Sequence, residues 1–330
     1  MTLEFHSKKV LVTGAGGFIG NRLVESLIQN GAHVTAFLRY TSRADLGLLR
    51  FLPPEILSEI ELIHGDLRDF DALERATRAV DLVYHLGALI SIPYSYLHPV
   101  ETVETNIMGT LSVLQACRAN NFKLIHTSSS EVYGTALRVP IDEDHPLQGQ
   151  SPYSASKIGA DKLVESYARA YAIQTVTVRP FNTYGPGQST RAVIPTIITQ
   201  ALTQPKIQLG NLAATRDFTY VDDTVDGFLK AAKLEEMTGE VFNLGTGTEI
   251  SIGDLAQMII ALIGKPVEIA TDDQRLRPER SEVQRLVSDN RKAVQKLGWQ
   301  PSVPLDDGLR HTIAWIQTHL DLYQPGVYGL

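Results

Sequence analysis

The sequence predicts an α/β fold in which a Rossmann-type doubly wound parallel sheet is followed by a smaller C-terminal α/β lobe. Short apolar, β-rich runs alternate with amphipathic helical patterns up to residue 180, which is typical of parallel strands joined by helices. A glycine-rich turn links the first run to the first helical pattern. After residue 180 the elements become shorter and prolines interrupt them. We therefore expect a sheet domain at 1–180, with a return segment around 216–246, and a second lobe formed mainly by 181–330.

The glycine-rich turn lies between a strand, Val10 to Thr13, and a helical pattern that contains Leu23 and Leu27. Its spacing is G-x-x-G-x-x-G, which departs from the strict G-x-G-x-x-G of the dinucleotide fingerprint. Glycine allows positive φ and lets a diphosphate approach the amides at the helix N-terminus. The position directly after the first strand favours dinucleotide binding over a plain turn. The residues predicted to contact the dinucleotide here are Gly14, Gly17, Phe18, Ile19 and Gly20.

The second strand, His33 to Leu38, indicates which dinucleotide binds. A fold that prefers NAD usually places Asp or Glu at the end of this strand, where the carboxylate holds the ribose 2′-hydroxyl. Here Arg39 and Arg43 flank a short hydroxyl-bearing loop instead. Guanidinium groups suit a 2′-phosphate. The sequence therefore predicts NADP, with NAD as the alternative, and a solvated basic loop is also open.

Two further strands are predicted to end at the cofactor. The third, from Glu61, ends at Asp66 and Leu67, and its carboxylate can bond the adenine amino group. A helix is predicted to start at Asp69, because acidic residues in a first turn complement the helix dipole. The fourth strand, Asp81 to Leu86, ends at two small residues that let a nicotinamide lie close to the backbone. Leu86 and Ala88 are the residues predicted to contact it.

Two long amphipathic helices are predicted, at Thr102 to Arg118 and at Ser156 to Ala172. Their apolar faces could form a four-helix seam between two copies of the chain, which predicts a homodimer. The alternative is that they only cover the sheet. Asn106 lies inside the first helix and is predicted to bridge strands rather than to act in catalysis.

The strongest sign of chemistry is a Tyr-Lys pair behind a serine at a strand end. Tyr153 and Lys157 are four residues apart and share one helix face, so the ammonium can lower the pKa of the phenol. Ser129 ends an apolar run, where its hydroxyl can bond the substrate oxygen that Tyr153 deprotonates. Such an arrangement oxidises an alcohol if a hydride acceptor lies alongside. A chance occurrence of Y-x-x-x-K in a helix is the alternative.

Composition excludes several classes of function. The chain has 330 residues, a formal net charge of −7, a pI near 5.7 and no dense Lys/Arg cluster, which argues against a nucleic-acid or polybasic membrane surface. The single cysteine, Cys117, lies in an apolar helical pattern and is expected to be a buried structural thiol. No secretory signal or membrane span is predicted, and no metal site. We expect a soluble cytoplasmic protein.

The second lobe is expected to bind an anionic substrate. Arg216 and Arg277 both lie in it, and guanidinium groups bind diphosphates bidentately. Ser91 lies in a loop after the fourth strand that can reach the substrate. The turn at Gly245 resembles a second phosphate loop, but most such turns are plain loops.

Taken in order, these motifs resemble the extended short-chain dehydrogenase/reductase family over almost the whole chain. Three further matches narrow the resemblance to the branch that acts on nucleotide sugars. They are Arg179-Pro180-Phe181-Asn182-x-Tyr184-Gly185-Pro186, Arg216-Asp217 and Arg277-Pro278. The resemblance implies that the C-terminal lobe binds a nucleotide sugar. The residues implied to bind it are Ser91, Asn182, Arg191, Arg216 and Arg277.

The two residues after Ser129 distinguish reactions within that branch. They are Ser130 and Glu131, a pair similar to that of the GDP-mannose 4,6-dehydratases, whereas the dTDP-glucose enzymes have Asp-Glu. The same pair also occurs in UDP-glucuronate decarboxylases, so it does not exclude them. The segments Ser151 to Lys162 and Ala192 to Thr196 look closest to the GDP-N-acetylglucosamine 4,6-dehydratases. The resemblance implies a lyase that converts a GDP- or UDP-N-acetylglucosamine type of sugar to its 4-keto-6-deoxy form. The residues implied to be catalytic are Ser129, Ser130, Glu131, Tyr153 and Lys157.

The reaction implied is oxidation, elimination and reduction with one recycled cofactor. Tyr153 takes the C4 hydroxyl proton, and the 4-ketone then makes C5–H acidic enough for Glu131 to remove. Water leaves C6, and hydride returns there. Ser130 is a poor general acid, so the proton donor for the departing hydroxyl stays open.

Three other functions remain open. A UDP-glucuronate-type decarboxylase needs a cation at the C5 carboxylate, and Arg191 or Arg280 could supply it. A 4-epimerase leaves Glu131 without a role. A non-enzymatic NADP-binding regulator would lack catalytic residues, and Ser129, Tyr153 and Lys157 argue against it.

Overall fold

The computed structural model describes residues 5–236, 238–276, 278 and 281–323. The strands in chain order are β1 (Lys9–Thr13), β2 (His33–Arg39), β3 (Glu61–Gly65), β4 (Leu82–His85), β5 (Lys123–Thr127), β6 (Thr175–Pro180), β7 (Thr183–Tyr184), β8 (Lys206–Leu209), β9 (Thr215–Arg216), β10 (Thr219–Tyr220), β11 (Thr238–Leu244), β12 (Ile250–Ser251), β13 (Glu268–Thr271) and β14 (Arg285–Leu286).

The α-helices in chain order are α1 (Phe18–Gln29), α2 (Pro54–Leu57), α3 (Phe70–Ala76), α4 (Ile92–Leu97), α5 (Pro99–Val103), α6 (Gly109–Asn120), α7 (Pro152–Tyr171), α8 (Val193–Thr203), α9 (Val221–Ala232), α10 (Ile252–Ile263), α11 (Arg291–Leu297) and α12 (Leu305–Thr318). A π-helical turn joins α5 to α6 at Glu104–Met108, and short 3-10 helices lie at Gly47–Phe51, Ser130–Tyr133, Asp273–Arg275 and Leu320–Leu322.

A seven-stranded parallel sheet forms the centre of the molecule, in the order β11-β6-β5-β4-β1-β2-β3. The strand order reverses between β1 and β4, so the chain leaves these two strands in opposite directions. A crevice opens at the carboxyl ends of strands at such a point, and ligands of open α/β sheets bind there. This topology confirms the predicted Rossmann-type doubly wound sheet.

Apolar clusters cover both faces of the sheet. One contains side chains of α1 and α9 together with Trp299, whose indole N–H donates to the carbonyl of Asp223 at 2.8 Å. The other contains side chains of α3, α6 and α7, and includes Cys117, which is buried as expected. A separate cluster joins α8, α10 and α12. Residues before and after position 180 both contribute to the cluster that contains Trp299, so the predicted domain boundary at residue 180 stays a prediction.

Strand β11 lies within the predicted return segment and pairs with β6 at the edge of the sheet. The helix before it, α9, begins at Val221. It follows β10 directly, and Asp222 and Asp223 in its first turn favour its N-terminal dipole.

The helix that carries the Tyr-Lys pair begins earlier than its apolar pattern predicts. Ser151 is its N-cap, and its Oγ accepts from the N–H of Ser154 at 3.1 Å. The Ser154 hydroxyl accepts in return from the N–H of Ser151 at 2.9 Å, which completes a capping box. Pro152 occupies the first helical position, where its missing N–H costs nothing. Tyr153 is therefore inside α7 instead of before it.

The helix predicted from Thr102 to Arg118 is not a single regular α-helix. It starts at Pro99, passes through the π-helical turn and ends at Asn120. Asn106 lies in that turn, and its side chain bonds the N–H and C=O of Leu89 at 2.8 and 2.9 Å and Ser156 Oγ at 2.9 Å. It therefore bridges the loop after β4 to α7, whereas we expected it to bridge strands.

Candidate active site

The glycine turn between β1 and α1 forms one wall of the site. Gly14 has a φ of +70°, and a Cβ added to it would lie 2.8 Å from the backbone nitrogen of Gly87. Only glycine fits this close approach without strain. Gly17 is the N-cap of α1, and the amides of a first helical turn have no intrahelical acceptor. A diphosphate can bind at these amides, as the spacing predicts.

A cavity of about 170 Å³ lies beside this turn, and we call it the Asp66 cavity. Asp66 and Leu67 line it with Ala88 and Arg39. The guanidinium of Arg68 donates to the Asp66 carboxylate at 2.9 and 2.7 Å and holds the pKa of that carboxyl below its usual value. Asp66 is therefore an ionised acceptor at the end of β3, where an adenine amino group was expected.

The two arginines predicted to bind a 2′-phosphate are placed differently. Arg39 lines the Asp66 cavity, and its side chain is 68% exposed. Its guanidinium lies 3.5 Å from the carboxylate of Glu101 on α5. Arg43 is exposed and does not line this cavity. Of the two, Arg39 lies at the end of β2, where the ribose 2′-phosphate was predicted to bind.

A second cavity, of about 390 Å³, is lined by four of the five predicted catalytic residues, all except Lys157, and we call it the Tyr153 cavity. It shares Gly14, Gly87 and Ala88 with the Asp66 cavity, so the two are continuous along the carboxyl edge of the sheet. The other residues of our prediction that line it are Gly17, Phe18, Ile19, Gly20, Leu86, Ser129, Ser130, Glu131, Tyr153 and Asn182.

Tyr153 lies in the first turn of α7, is 7% exposed and bonds Ser129 through its hydroxyl. Ser129 is the N-cap of the 3-10 helix Ser130–Tyr133, and its Oγ accepts from the N–H of Glu131 at 3.2 Å. Burial raises the pKa of Tyr153 to about 12. The bond with Ser129 acts against this rise, and the charge of Glu131 adds to it.

Lys157 lies beneath Tyr153, and its Nζ donates to the carbonyl of Thr127 at 2.6 Å. Burial lowers the pKa of Lys157 to about 8, while the carboxylate of Asp161 acts in the opposite direction. We expected the ammonium to lower the pKa of the Tyr153 phenol, but in this structure that expectation is wrong. Burial of the phenol outweighs other influences, and the ammonium is bound to the strand end.

The 3-10 helix after Ser129 carries the two residues that distinguish the candidate reactions. Ser130 is buried, Glu131 is half-buried, and both line the Tyr153 cavity. Glu131 is close enough to Tyr153 for its charge to raise the pKa of the phenol. A carboxylate and a phenol therefore border the same space, which is what two successive proton removals from one substrate require.

A third cavity, of about 310 Å³, extends from the Tyr153 cavity toward the apolar cluster of α8, α10 and α12, and we call it the Arg216 cavity. Asn182 lines both it and the Tyr153 cavity, so it lies at their junction. Arg191 and Arg216 line it as predicted. Arg216 is buried, and its guanidinium lies 3.6 Å from the carboxylate of Glu282. Cations in a partly enclosed space suit a diphosphate.

One predicted substrate residue, Ser91, is not part of this arrangement. Ser91 is the N-cap of α4 and accepts from the N–H of Tyr94 at 3.3 Å. It lines none of the three cavities, although Pro93 of the same segment lines the Arg216 cavity. Arg277 lies outside the described residues, as does Arg280.

The structure also shows residues that the sequence reasoning missed. Arg275 and Glu282 line the Arg216 cavity, and Gln188 lines both this cavity and the Tyr153 cavity. Arg275 and Glu282 lie close in the sequence to Arg277 and Arg280, the two cations of this segment that we named. Asp161 is buried behind Lys157, and its spacing of four residues from Lys157 on one helix could have revealed it.

These cavities fit a nicotinamide dinucleotide. A Cβ at position 14 would fill the space beside the glycine turn, and the first-turn amides of α1 suit a diphosphate. Asp66, a hydrogen-bond acceptor, lines one of the two connected cavities, and Tyr153 lines the other. Among the described residues no group of three or more His, Cys, Asp or Glu is arranged to hold a metal ion. In the same part of the chain, no helix is long and apolar enough to cross a membrane.

A doubly wound sheet with a glycine turn, Ser129 and the Tyr153-Lys157 pair defines an extended short-chain dehydrogenase/reductase. Comparison with known proteins narrows this class further. The family model described as GDP-mannose 4,6 dehydratase matches residues 11–312. The chain belongs to this family of nicotinamide-dependent nucleotide-sugar dehydratases and epimerases.

Relatives within the family catalyse more than one reaction. The chain is 33% identical over 318 residues to UDP-glucose 4-epimerase of Mycolicibacterium smegmatis, covering 94% of this chain and 98% of that protein. It is 32% identical over 320 residues to human dTDP-D-glucose 4,6-dehydratase, covering 94% and 90%. The crystal structure of DesIV, a dTDP-glucose 4,6-dehydratase from Streptomyces venezuelae with NAD and TYD bound, superposes with a TM-score of 0.85 at 29% identity, covering 96% and 99%.

Proposed function

We propose that this protein is a nucleotide-sugar 4,6-dehydratase that converts a GDP- or UDP-N-acetylglucosamine type of substrate to the 4-keto-6-deoxy sugar. The observation that carries the proposal is the placement of Glu131 and Tyr153 on one cavity, continuous with the glycine turn. A dehydratase needs a second base for C5, and Glu131 is a carboxylate in reach of the same substrate.

The reaction begins with loss of two hydrogens from C4 of the sugar. Tyr153 takes the hydroxyl proton, Ser129 bonds the same oxygen, and Lys157 is assigned a bond to a ribose hydroxyl of the cofactor. A nicotinamide dinucleotide bound here would supply the hydride acceptor for C4 and the hydride donor for C6. Asp66 and the glycine turn would hold the two halves of this cofactor, with Leu86 and Ala88 beside the nicotinamide.

The second stage is elimination of water from C5 and C6. The 4-ketone makes C5–H acidic, and Glu131 removes this proton as the C6–O bond breaks. The departing hydroxyl leaves as water and takes up a proton, for which Glu131 is the nearest acid that we assign. Glu131 is then reprotonated from solvent, and it protonates C5 as C6 is reduced. Ser130 lines the cavity, and its hydroxyl can bond the departing oxygen.

Substrate binding is assigned to the Arg216 cavity. Arg191 and Arg216 supply cations for the diphosphate, and Asn182 lies where the sugar must pass into the Tyr153 cavity. Arg277 keeps its predicted role as a further cation. The segment resemblance to GDP-N-acetylglucosamine enzymes supports this sugar, and the matching family model supports a GDP-linked one.

For the cofactor we propose NADP. Strand β2 ends without a carboxylate, and Arg39 lines the Asp66 cavity at that end. The related DesIV structure is described with NAD, which is therefore the alternative.

We also propose that the protein is a homodimer. α5 and α6 pack beside α7, so two copies of this helical face would give the four-helix seam that the sequence predicts. Apolar side chains are concentrated on this surface, and Val100 on α5 is 68% exposed.

A 4-epimerase is the second candidate, because relatives of similar identity are named as epimerases. Turnover in D₂O separates the two reactions. Product from GDP- or UDP-N-acetylglucosamine should lose one water and carry one solvent deuterium at C5, as judged by mass spectrometry. An epimer would keep the mass of its substrate, because epimerisation breaks no C5–H bond. Loss of carbon dioxide from UDP-glucuronate would instead establish the decarboxylase, for which Arg191 could hold the carboxylate.

A further inference from the structure

A buried cluster of charged and polar side chains lies directly behind the Tyr153 cavity. Asp161 of α7 is at its centre, and four hydrogen bonds reach its carboxylate. They come from Ser128 Oγ at 2.8 Å, Arg179 Nη2 at 2.9 Å, Arg179 Nε at 3.2 Å and His126 Nε2 at 3.2 Å. The side chains of Asp161 and Arg179 are 5% and 6% exposed. Such a carboxylate is costly to bury and is retained here with every donor in place.

The contacts of Asp161 secure the helix that carries Tyr153 and Lys157. Asp161 follows Lys157 by four residues, so the two side chains share one face of α7. Lys157 Nζ bonds the carbonyl of Thr127 at 2.6 Å, and Asp161 bonds the hydroxyl of the next residue, Ser128. The ammonium and the carboxylate therefore attach α7 to adjacent residues at the end of β5.

The ion pair of Asp161 and Arg179 also connects α7 to the 3-10 helix that carries Glu131. Arg179 Nη1 donates to the hydroxyl of Tyr133 at 2.9 Å, and Tyr133 donates to Asn243 Oδ1 at 2.7 Å. Tyr133 is fully buried and ends the 3-10 helix that carries Glu131. A continuous chain of hydrogen bonds thus runs from the helix of the Tyr-Lys pair to the segment of the second base.

We propose that Asp161 is a positioning residue of this site, which keeps the Lys157 amine charged and sets the pH range in which Tyr153 and Lys157 work. The proposal rests on the proposed C4 oxidation for its effect on catalysis. Its effect on Lys157 itself does not depend on any substrate.

Charge balance in the cluster supports this assignment. Lys157 and Arg179 are two buried cations, and Asp161 is the carboxylate between them. Burial acts to raise the pKa of Asp161, but the bond from His126 and the nearby cations outweigh it and hold the pKa below its usual value. The titratable and charged groups that face this cluster are His85 from β4, His126 from β5, Arg179 from β6, Tyr133 and Glu131 from the 3-10 helix, and Tyr153, Lys157 and Glu165 from α7.

The sign of the effect follows from these charges. Burial lowers the pKa of Lys157 to about 8, and Asp161 opposes this. The negative charge of Asp161 also raises the pKa of Tyr153. Neutralising Asp161 should therefore lower both pKa values. Burial lowers the pKa of both His85 and His126, so these rings are neutral near pH 7 and do not replace the lost charge.

The first test measures the pKa of Lys157 directly in the free protein. Lysine labelled with ¹³C at Cε is titrated by NMR, and the Lys157 signal is assigned by its loss in Lys157→Met. We expect a midpoint near 8 in the parent protein. Asp161→Asn, which keeps the shape of the side chain, should lower it by about one unit or more. An unchanged midpoint in a folded variant overturns the proposal.

Arg179→Gln supplies a variant with the opposite sign. Removing this cation should raise the Lys157 midpoint, since one of two like charges is gone. The double variant Asp161→Asn/Arg179→Gln should return toward the parent value. A purely structural role of Asp161 predicts no such opposite shifts. If Asp161→Asn fails to fold, the double variant, in which both buried charges are neutral, replaces it, and a midpoint no lower than that of Arg179→Gln overturns the proposal.

The second test follows nicotinamide absorbance during C4 oxidation as a function of pH. In Asp161→Asn both limbs of the kcat/KM profile should move to lower pH, because both groups lose the same negative neighbour. A kcat/KM profile with a lower maximum, whose acidic and basic limbs stay at the same pH as in the parent protein, would contradict the proposal. If the dehydratase assignment fails but an epimerase is found, the same profile can be measured, since both reactions begin at C4.

Discussion

Glu131 is the residue on which the choice between reactions depends. Ser129, Tyr153 and Lys157 suffice to oxidise C4, and a 4-epimerase needs nothing more from the protein. A carboxylate that lines the same cavity as Tyr153 can act as the base for a C–H bond next to the ketone, a bond that a dehydratase must break and a 4-epimerase does not. Glu131 also lies on a 3-10 helix fixed by Ser129 and Tyr133, so its position is well defined.

We predict that Glu131→Gln abolishes elimination while cofactor binding is retained. Formation of the 4-keto-6-deoxy sugar should fall at least about a hundredfold, because the amide cannot remove the C5 proton. Product is measured by mass spectrometry, and cofactor binding by fluorescence titration. Glu55→Gln, at an exposed position of α2, is the matched control and should keep activity. Normal turnover by Glu131→Gln would remove this residue from the mechanism.

Arg39→Ala tests the choice of cofactor. If the guanidinium binds the 2′-phosphate, the variant should lose roughly tenfold in preference for NADP over NAD, since a hydrogen bond to a charged group contributes about 1.5–3 kcal/mol. Dissociation constants for both dinucleotides give the ratio. Arg43→Ala, at the other predicted arginine, is the comparison and should change the ratio little because Arg43 does not line the Asp66 cavity. An unchanged ratio in Arg39→Ala would refute the phosphate role.

Residue types and spacing predicted the glycine turn, Asp66, Ser129, Tyr153 and Lys157, because each stands at a strand end or a helix start that the pattern already defines. The role of Glu131 was implied only by the family resemblance. The pKa of Tyr153 could not be predicted in this way. Its direction depends on how deeply the phenol is buried and on where the Lys157 ammonium bonds, and both are properties of the packed structure.

At the scale of elements, helix starts were the least predictable feature. The apolar pattern of α7 begins near Ser156, yet the helix starts at Pro152, because the capping box of Ser151 and Ser154 outweighs the weak apolar signal. The sequence S-P-x-S carries this signal, which a search for N-caps could have found. The π-helical turn at Glu104–Met108 has no such signature, since it accommodates contacts that Asn106 makes with distant residues.

Asn106 allows a prediction about the stability of these elements. Its amide satisfies both backbone groups of Leu89 and contacts Ser156 of α7, and it is 1% exposed. Asn106→Leu leaves these groups buried without partners, which should lower the free energy of unfolding by about 3 kcal/mol. Urea denaturation measures the change. Gln115→Leu, at an exposed position of α6, should shift it by less than about 0.5 kcal/mol. A loss in Asn106→Leu no larger than in this control would show that Asn106 is not a bridge.

On the scale of the whole molecule, the parallel sheet could be predicted, but the packing of the part of the chain around α8, α10 and α12 could not. Parallel strands are continuous apolar runs that repeat with helices, so β1 to β6 could be recognised one by one. The short strands β8, β9 and β13 pair with partners far along the chain, and two to four residues carry too little pattern to reveal this. The substrate cations reached the same cavity only through these long-range pairings.

The proposed dimer is tested on the exposed apolar surface of α4 to α6. Leu97, Val100, Val103 and Met108 are 59%, 68%, 40% and 48% exposed within a short stretch of chain. Single exposed apolar residues are ordinary, but a group of this kind marks an interaction surface. Light scattering after gel filtration should give twice the chain mass for the parent protein.

Val100→Glu/Val103→Glu should give the mass of one chain at the same concentration, because four carboxylates in the seam of a two-fold dimer would be desolvated and would repel each other. Leu137→Glu is the matched control, since Leu137 is 69% exposed on a different surface, and it should leave the mass unchanged. If the double variant remains dimeric, α5 and α6 do not form the seam. A parent protein with the mass of one chain would mean that these helices only cover the sheet.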